Sequence, residues 1–331
     1  MGLEPMAQET RPSPGAESAF AAYAALWVGY LAIGGATQQR DLVGGLWVTE
    51  VLAIALPALI AVRIAGLPAG RALGLRAAGP AQLGAAVLLA IANQPVVSFV
   101  TWASRALAPE SWVKEFDALQ RALDFFFSQQ AMPMILTVSL AAPLGEELFF
   151  RGYALPALAR SWGPLVACLV SGAMFSALHV NRIGFLGLWE IGIVLALLRL
   201  WSGSLWPAIL CHATNNAVAG AAFLLGWEDP DVGPPAWLLA LGAVLLAAGV
   251  ALAAHVLRRV PPADAPETPP SADGLRFSRA VPLAAVWVAG VLLAIAQWRR
   301  VVADVPMTVW IGLSAAAVVA AAVSWSRDAS A

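Results

Sequence analysis

Long apolar runs separated by short polar stretches make up most of the chain. An α-helix needs about 20 predominantly apolar residues to cross the hydrocarbon core of a bilayer. On that measure ten runs are long enough, or eight or nine if two shorter central runs merge or re-enter the membrane. The predicted spans are residues 18–37, 44–62, 81–104, 131–156, 164–180, 183–200, 204–226, 236–257, 281–298 and 306–325. The pattern therefore predicts an all-α fold, a polytopic transmembrane helix bundle with about 8–10 spans.

Residues 111–130 have a different pattern, because apolar side chains recur there at helical spacing among charged ones. The apolar positions are Trp112, Phe116, Leu119, Leu123 and Phe126, and the charged positions are Lys114, Asp117, Arg121 and Asp124. A helix with one apolar face and one charged face is typical of the membrane interface. A polar extension of the fourth span fits the same residues, and the sequence leaves both alternatives open.

These runs divide the chain into four regions. Residues 1–17 mix acids and prolines without the basic stretch of a secretory signal peptide, so we expect a disordered tail. Residues 18–130 hold the N-terminal membrane helices and the amphipathic segment, and residues 131–227 form a central membrane core. Residues 228–331 are predicted to add accessory membrane helices, joined by a proline-rich loop at 258–280.

Composition supports a membrane protein and argues against other classes. Hydrophobic residues make up 60% of the 331 positions and charged residues only 12%, with a mean hydropathy of +0.76, whereas a soluble domain carries about 25% charged residues. The net charge of -1 argues against nucleic acid and leaves the lipid bilayer as the expected partner. One lysine against eighteen arginines, with abundant alanine, favours a GC-rich bacterial genome and hence the bacterial cytoplasmic (inner) membrane.

The basic residues of the loops predict an orientation, because cytoplasmic loops carry an excess of lysine and arginine. If the N-terminus is cytoplasmic, twelve basic residues lie inside and seven lie outside. This difference predicts a multi-pass topology with both termini in the cytoplasm.

Two adjacent glutamates, Glu146 and Glu147, interrupt the fourth apolar run, and Arg151 follows them. A carboxylate at the centre of a bilayer costs about 2.5–3.5 kcal/mol on insertion scales, so intramembrane acids are rare and usually functional. Residues four apart share one face of a helix, so Glu147 and Arg151 are predicted to neutralise each other. Glu146 points about 100° away from Glu147 on a helical wheel, which leaves it free for chemistry.

Two of the three histidines lie in other apolar runs, each with a partner one helical turn away: Phe175 precedes His179, and Asn216 follows His212. A carboxylate and an imidazole can activate a water molecule as a general base, and a His–Asn pair can donate hydrogen bonds to a developing oxyanion. These are the parts of an acyl-transfer hydrolase without a serine or cysteine nucleophile. The span boundaries place His179 at the end of its helix and Glu146 near the middle of its own. For the two side chains to meet at one depth in the membrane, the fifth span must be shifted or re-entrant.

At these residues the chain resembles the CAAX protease and bacteriocin-processing family of intramembrane endopeptidases. The family pattern of two glutamates, three residues and an arginine, often within Phe-Arg-Gly, is present as Glu146-Glu147-Leu148-Phe149-Phe150-Arg151-Gly152. Phe-x-x-x-His is present at Phe175–His179, and His-x-x-x-Asn is present at His212–Asn216 after Gly203-Ser204-Leu205-Trp206. The resemblance covers about residues 140–226, roughly a quarter of the chain, and depends on three ordered motifs rather than on any one.

The resemblance implies an intramembrane endopeptidase with a buried polar catalytic cavity, which cuts near the membrane-associated end of a protein or peptide. Glu146 and His179 would activate the hydrolytic water, and His212 and Asn216 would hold the scissile carbonyl and its oxyanion. Family members differ in substrate, from prenylated C-termini (CAAX-box protein maturation) to bacteriocin leaders and C-terminal sorting signals. A membrane-anchored or hydrophobic peptide or protein is therefore the expected substrate class. The further residues that the resemblance implies are Glu147 in the catalytic set, with Arg151 and Phe175 ordering the site.

The need for a metal stays open at this point. Glu146, His179 and His212 could form a zinc site of the two-histidine, one-carboxylate type, whereas a glutamate–histidine pair needs only a water molecule. No His-Glu-x-x-His zinc motif occurs in the sequence. We therefore favour a site without metal or other cofactor.

A second functional class would use the same polar core without proteolysis, as a transporter with a proton relay or as a scaffold or immunity factor. A transporter of this kind is expected to contain an inverted repeat, and the motif-like features occur only in the central third of the chain. A degenerate protease is expected to lose one of the motif residues, and all of them are present.

Other polar residues in the apolar runs give weaker signals. Glu50 in the second span and Glu190 in the sixth are intramembrane acids, and each lines the cavity, makes a structural hydrogen bond or lies near the interface. The sequence Asn93-Gln94-Pro95 interrupts the third span, where a kink with local capping is favoured over substrate contact. Asn215 adjoins Asn216, and helical stacking with His212 favours Asn216 as the residue that faces the site.

Overall fold

The computed structural model describes residues 14–225, 234–257, 277–302 and 304–329. Within these ranges the chain is helical and contains no strand, which confirms the predicted all-α bundle. The helices are α1 (Ala16–Gln38), α2 (Leu42–Ile64), α3 (Pro80–Leu107), α4 (Glu110–Glu147), α5 (Leu155–Leu178), α6 (Phe185–Ser202), α7 (Trp206–Leu224), α8 (Ala236–Leu257), α9 (Phe277–Trp298) and α10 (Met307–Ala329). A π-helical segment, Leu148–Ala154, joins α4 to α5.

Eight helical stretches among the described residues are long and apolar enough to cross a membrane. One of them is the continuous path Glu110–Leu178, which contains two of the predicted spans, and α7 is not among the eight. The count agrees with the predicted range. The predicted tail and proline-rich loop lie outside the described residues over 1–13 and 258–276.

Particular residues explain where the helices begin and end. Pro80 opens α3 and Pro207 lies in the first turn of α7, positions at which the missing N–H removes no helical hydrogen bond. Asp41 caps α2, because its carboxylate accepts a hydrogen bond from the Gly44 N–H at 3.1 Å. Gly203 ends α6 with a φ of 64°, a left-handed conformation that favours glycine.

The amphipathic segment predicted at 111–130 forms the first half of α4. A kink at Gln130, with φ of -142° and ψ of 49°, separates it from the second half. Two of its acids pair with basic residues outside the helix: Asp117 pairs with Arg105 of α3, and Glu115 pairs with Arg182 at 3.1 Å. The segment is therefore an extension of the fourth span joined by a kink, and its position in the membrane interface stays a prediction.

The central helices α4 to α7 pack around the three motifs. Helix α5 lies against α6, and α7 lies against both α4 and α3. Glycines permit the close crossing of α5 and α6, since a Cβ at Gly192 would lie 2.7 Å from the Cα of Gly172. Small residues are common where membrane helices cross closely.

Helices α9 and α10 pack against the N-terminal pair of helices. One apolar cluster contains Ile33 of α1, Leu283 of α9 and Trp310 of α10. Arg63 of α2 donates a hydrogen bond to the backbone carbonyl of Ser324 at 2.8 Å. The C-terminal helices thus support α1 and α2, which form one wall of the cavity described next.

Candidate active site

A cavity of about 230 Å³ lies where α1 and α2 meet the central helices α4 to α7. Its polar lining residues are Tyr30, Gln38, Thr49, Glu50, Glu146, His179, His212, Asn215 and Asn216. No lysine or arginine is among the residues that line it. The structure therefore brings together the glutamate, both histidines and the asparagine that the motifs predicted for one site.

Two π-helical segments contribute lining residues to this cavity, and a third follows its glutamates along the chain. The segment Leu148–Ala154 begins directly after Glu146 and Glu147. Similar segments interrupt α1 at Tyr30–Gly34 and α2 at Thr49–Ala55. Such insertions are rare in α-helices and frequently occur at functional sites, which agrees with the concentration of polar groups here.

Glu147 is fully buried and binds two side chains. Its Oε1 accepts hydrogen bonds from Arg151 Nη1 at 2.9 Å and from His212 Nδ1 at 3.0 Å. The Arg151 guanidinium donates to the Gly192 carbonyl at 2.9 Å and lies 4.6 Å from the centre of the Phe175 ring. The ion pair expected from the four-residue spacing is present. Glu147 is not among the residues that line the cavity. Its contacts instead hold the side chains of Arg151 and His212 in place.

Glu146 faces the cavity instead. Its Oε2 has no hydrogen-bond partner among the described residues and lies 3.8 Å from His212 Nε2. Leaving a buried acceptor without a partner is costly, and in native proteins such an atom often marks a place for water or a ligand. The two adjacent glutamates therefore have different surroundings, as the helical angle between them predicts.

His179 immediately follows α5 as its C-cap residue. Its Nδ1 donates to the Phe175 carbonyl at 3.0 Å, because a backbone carbonyl can only accept. In the neutral imidazole, Nε2 then keeps its lone pair and can accept a proton. The Phe175 ring lies 4.9 Å from the His179 ring and 5.5 Å from the His212 ring, so it packs against both imidazoles.

The end-of-helix position predicted for His179 is also its position in the structure. Helix α5 breaks at Gly163, whose φ of 78° precedes Pro164, and only the part after this break leads to His179. At the end of this second part, His179 lines the same cavity as Glu146.

Both asparagines of α7 line the cavity, although helical spacing favoured Asn216 alone. Asn216 Nδ2 donates to the Val138 carbonyl at 2.7 Å. Asn215 Nδ2 donates to Asn216 Oδ1 at 3.4 Å. An amide nitrogen carries two protons, so Asn216 keeps one N–H that these contacts do not use.

The structure separates the two other intramembrane acids. Glu50 lines the cavity, and its Oε2 has no hydrogen-bond partner among the described residues. Its carboxylate lies against Gly145, where an added Cβ would come within 2.4 Å of Oε2. Glu190 is not a lining residue, and it accepts a hydrogen bond from Asn93 Nδ2 at 2.9 Å. Glu50 therefore belongs to the site, and Glu190 has the structural role.

Sequence reasoning missed the remaining polar residues of the wall supplied by α1 and α2. Tyr30, Gln38 and Thr49 line the cavity, and Gln38 Nε2 donates to Thr49 Oγ1 at 2.9 Å. These residues form no motif, and the intramembrane acid Glu50 is the signal in this region that pointed to the site.

The described residues include no group of three or more His, Cys, Asp or Glu side chains arranged to hold a metal ion. Glu146, His179 and His212 supply donor types that zinc accepts, but their arrangement does not meet this condition. No step of the chemistry proposed below runs through a metal, and metal dependence stays a prediction.

Comparison with known proteins identifies a family that is similar to part of the chain. The family described as type II CAAX prenyl endopeptidase Rce1-like matches residues 128–218, which include all three motifs. No curated protein and no solved structure shows a significant match. The match confirms the recognition made from the motifs: the segment that carries the site is similar to this family, which supports a CAAX-type intramembrane protease in general.

Proposed function

We propose that this protein is an intramembrane endopeptidase that hydrolyses a peptide bond near the membrane-associated end of a protein or peptide. The observation that carries the proposal is that Glu146 and His179 line one buried cavity. Among the described residues Glu146 Oε2 has no hydrogen-bond partner, and the bond of His179 Nδ1 to the Phe175 carbonyl leaves Nε2 as the acceptor. A water molecule bound between such atoms can lose a proton as it attacks a carbonyl carbon. The family match over 128–218 supports the same class of reaction.

Glu146 and His179 would activate this water. His179 directs its Nδ1 proton to the Phe175 carbonyl, so Nε2 holds the water through its lone pair. Glu146 would take the water proton during attack and deliver it to the leaving amine when the tetrahedral intermediate collapses. One carboxyl group can serve in both steps because the second step restores its ionised form.

His212 and Asn216 would stabilise the oxyanion. Asn216 has an unused amide N–H, whereas His212 commits Nδ1 to Glu147. A hydrogen bond from His212 Nε2 therefore requires the imidazolium form. Its positive charge and that of Arg151 would balance the charges of Glu146 and Glu147, in a setting where uncompensated charge is costly.

Glu147 and Arg151 would position these groups without touching the substrate. Glu147 holds the His212 ring through Nδ1, and Arg151 anchors Glu147 to α6 through the Gly192 carbonyl. Phe175 would pack against both histidines. Each contact fixes an orientation, which matters because catalytic groups lose much of their effect when displaced by about 1 Å.

The proposed setting is the bacterial cytoplasmic membrane, with both termini in the cytoplasm as the distribution of basic residues favours. The substrate would be membrane-anchored or hydrophobic, because most helices around the cavity belong to stretches apolar enough to cross a bilayer. Prenylated C-termini, peptide leaders and sorting signals all fit this description, and the cleavage site identifies which class is used.

Comparison of proteomes tests the proposal. The N- and C-terminal peptides of membrane and secreted proteins are compared in a deletion strain complemented with wild type, Glu146→Gln or Glu190→Gln. We expect new termini with wild type and with Glu190→Gln, since Glu190 lies outside the cavity, and none with Glu146→Gln. Identical termini in the wild-type and Glu146→Gln strains would contradict the proposal.

A further inference from the structure

Three side-chain amides connect α3 to the cavity. Gln94 Nε2 donates to Asn215 Oδ1 at 2.7 Å, and Asn215 Nδ2 donates to Asn216 Oδ1 at 3.4 Å. Asn216 Nδ2 in turn donates to the Val138 carbonyl at 2.7 Å. At the other end, Gln94 Nε2 also donates to the Ala90 carbonyl at 3.2 Å. The series therefore begins and ends on backbone carbonyls.

These two carbonyls fix the direction of every hydrogen bond between them. The oxygen and nitrogen of a carboxamide have nearly the same shape, so their positions follow from the hydrogen-bond network. A backbone carbonyl accepts only, so the nitrogen of Gln94 must face Ala90 and the nitrogen of Asn216 must face Val138. Asn215 then has one orientation that satisfies both neighbours, with its oxygen toward Gln94 and its nitrogen toward Asn216.

We propose that Gln94 is a positioning residue for the oxyanion chemistry. Through Asn215 it holds the Asn216 carboxamide in the orientation that leaves its second N–H for the oxyanion. This role rests on the proposed function, in which Asn216 is an oxyanion donor. Gln94 does not line the cavity and lies outside the matched segment 128–218, so no family motif marks it.

A purely local role for Gln94 leads to a different expectation. Pro95 has no N–H, so the backbone of α3 lacks one helical hydrogen bond near this point. In that case the bond from Gln94 to the Ala90 carbonyl would only stabilise this part of α3. Such a role would not depend on Asn216, and energetic coupling between Gln94 and Asn216 therefore separates the two.

A double-mutant cycle between Gln94→Met and Asn216→Ala measures this coupling. The substrate is a quenched-fluorescence peptide that spans the cleavage site found in the proteome comparison. Gln94→Met nearly keeps the side-chain length and removes its hydrogen bonds. We expect kcat to fall about tenfold with KM little changed, which is less than the ~10²–10³ that a lost oxyanion donor costs. In the Asn216→Ala background the same change should have no further effect.

Two further variants complete the test. Asn215→Leu breaks the series of hydrogen bonds from α7. It should show the same loss of kcat, with no further loss in the Asn216→Ala background, and it keeps the test available if Gln94→Met does not fold. Asn93→Leu is the matched control, because this neighbouring amide binds Glu190 and not Asn215; its kcat per folded protein should equal wild type. Additive losses in both backgrounds would overturn the positioning role. Undiminished turnover by Glu146→Gln would instead contradict the proposed function itself.

Discussion

At the scale of single residues, the candidate site depends on charges that are buried in pairs. Arg151 and Glu147 have no exposed side-chain surface, and Glu147 also binds His212. A buried ion pair adds little net stability, but removal of one partner leaves the other charge without compensation. The arrangement is therefore sensitive to the loss of either member, and this sensitivity can be measured.

Arg151→Ala should lower the free energy of unfolding by about 3–5 kcal/mol, because the buried carboxylate of Glu147 loses its guanidinium partner. Denaturant unfolding in detergent measures this change. Arg182→Ala is the control, since it removes an ion pair to Glu115 whose side chains are 57% and 61% exposed, and such pairs contribute about 0–1 kcal/mol. Equal stability of the two variants would mean that the Arg151 pair is solvated.

At the same scale, metal dependence turns on whether Glu146, His179 and His212 act as catalytic groups or as metal ligands. A zinc enzyme needs its ligands at about 2.0–2.2 Å from one ion, and using His212 as a ligand would leave Asn216 as the main side-chain oxyanion donor. We expect purified protein to keep its activity after exhaustive treatment with a strong chelator, and elemental analysis to find no stoichiometric zinc. Activity lost on chelation and restored by zinc would reassign Glu146, His179 and His212 as metal ligands.

At the scale of helices, the contact of α2 with α4 sets how the cavity wall formed by α1 and α2 packs against the helix that carries Glu146. An added Cβ at Gly145 would lie 2.4 Å from Glu50 Oε2 and 2.9 Å from the Glu50 backbone oxygen. The backbone of α2 therefore rests directly on the residue before Glu146. A side chain at position 145 would push the two helices apart.

Gly145→Ala should therefore destabilise the protein by about 1–3 kcal/mol, the usual cost of an extra buried group in a packed interior. It should also lower kcat, because Glu146 moves with α4. Gly84→Ala in α3 is the matched control, since nothing lies within 4 Å of its added Cβ and alanine favours a helix. Thermal unfolding and turnover measure both effects. A Gly145→Ala variant with wild-type stability would contradict the close packing.

Elements were predictable from the sequence to the extent that local patterns define them. The apolar runs predicted the membrane helices because each helix must span a fixed hydrocarbon thickness. The π-helical segments and the kink at Gln130 were not predicted, since they depend on how neighbouring helices pack. Span counting also left open whether His179, at a helix end, meets Glu146, and the packing of the helices places both residues on one cavity.

At the scale of the whole molecule, the central site was more predictable than the wall that closes it. The motifs named Glu146, His179, His212 and Asn216 because chemistry restricts the residue types at those positions. The cavity residues of α1 and α2 are brought to the site by packing between distant parts of the chain. Glu50 and Glu190 looked alike in the sequence, and their three-dimensional surroundings distinguish them.

The central claim is that Glu146 is the base that activates water in this cavity. The most direct test is the turnover of the cleavage-site peptide by purified Glu146→Gln, a variant that keeps the side-chain volume and removes the base. General acid–base catalysis contributes typically ~10²–10⁴-fold, so we predict a loss of kcat of this size with KM and the free energy of unfolding little changed. Glu190→Gln should keep wild-type turnover. Wild-type turnover by Glu146→Gln would contradict the account.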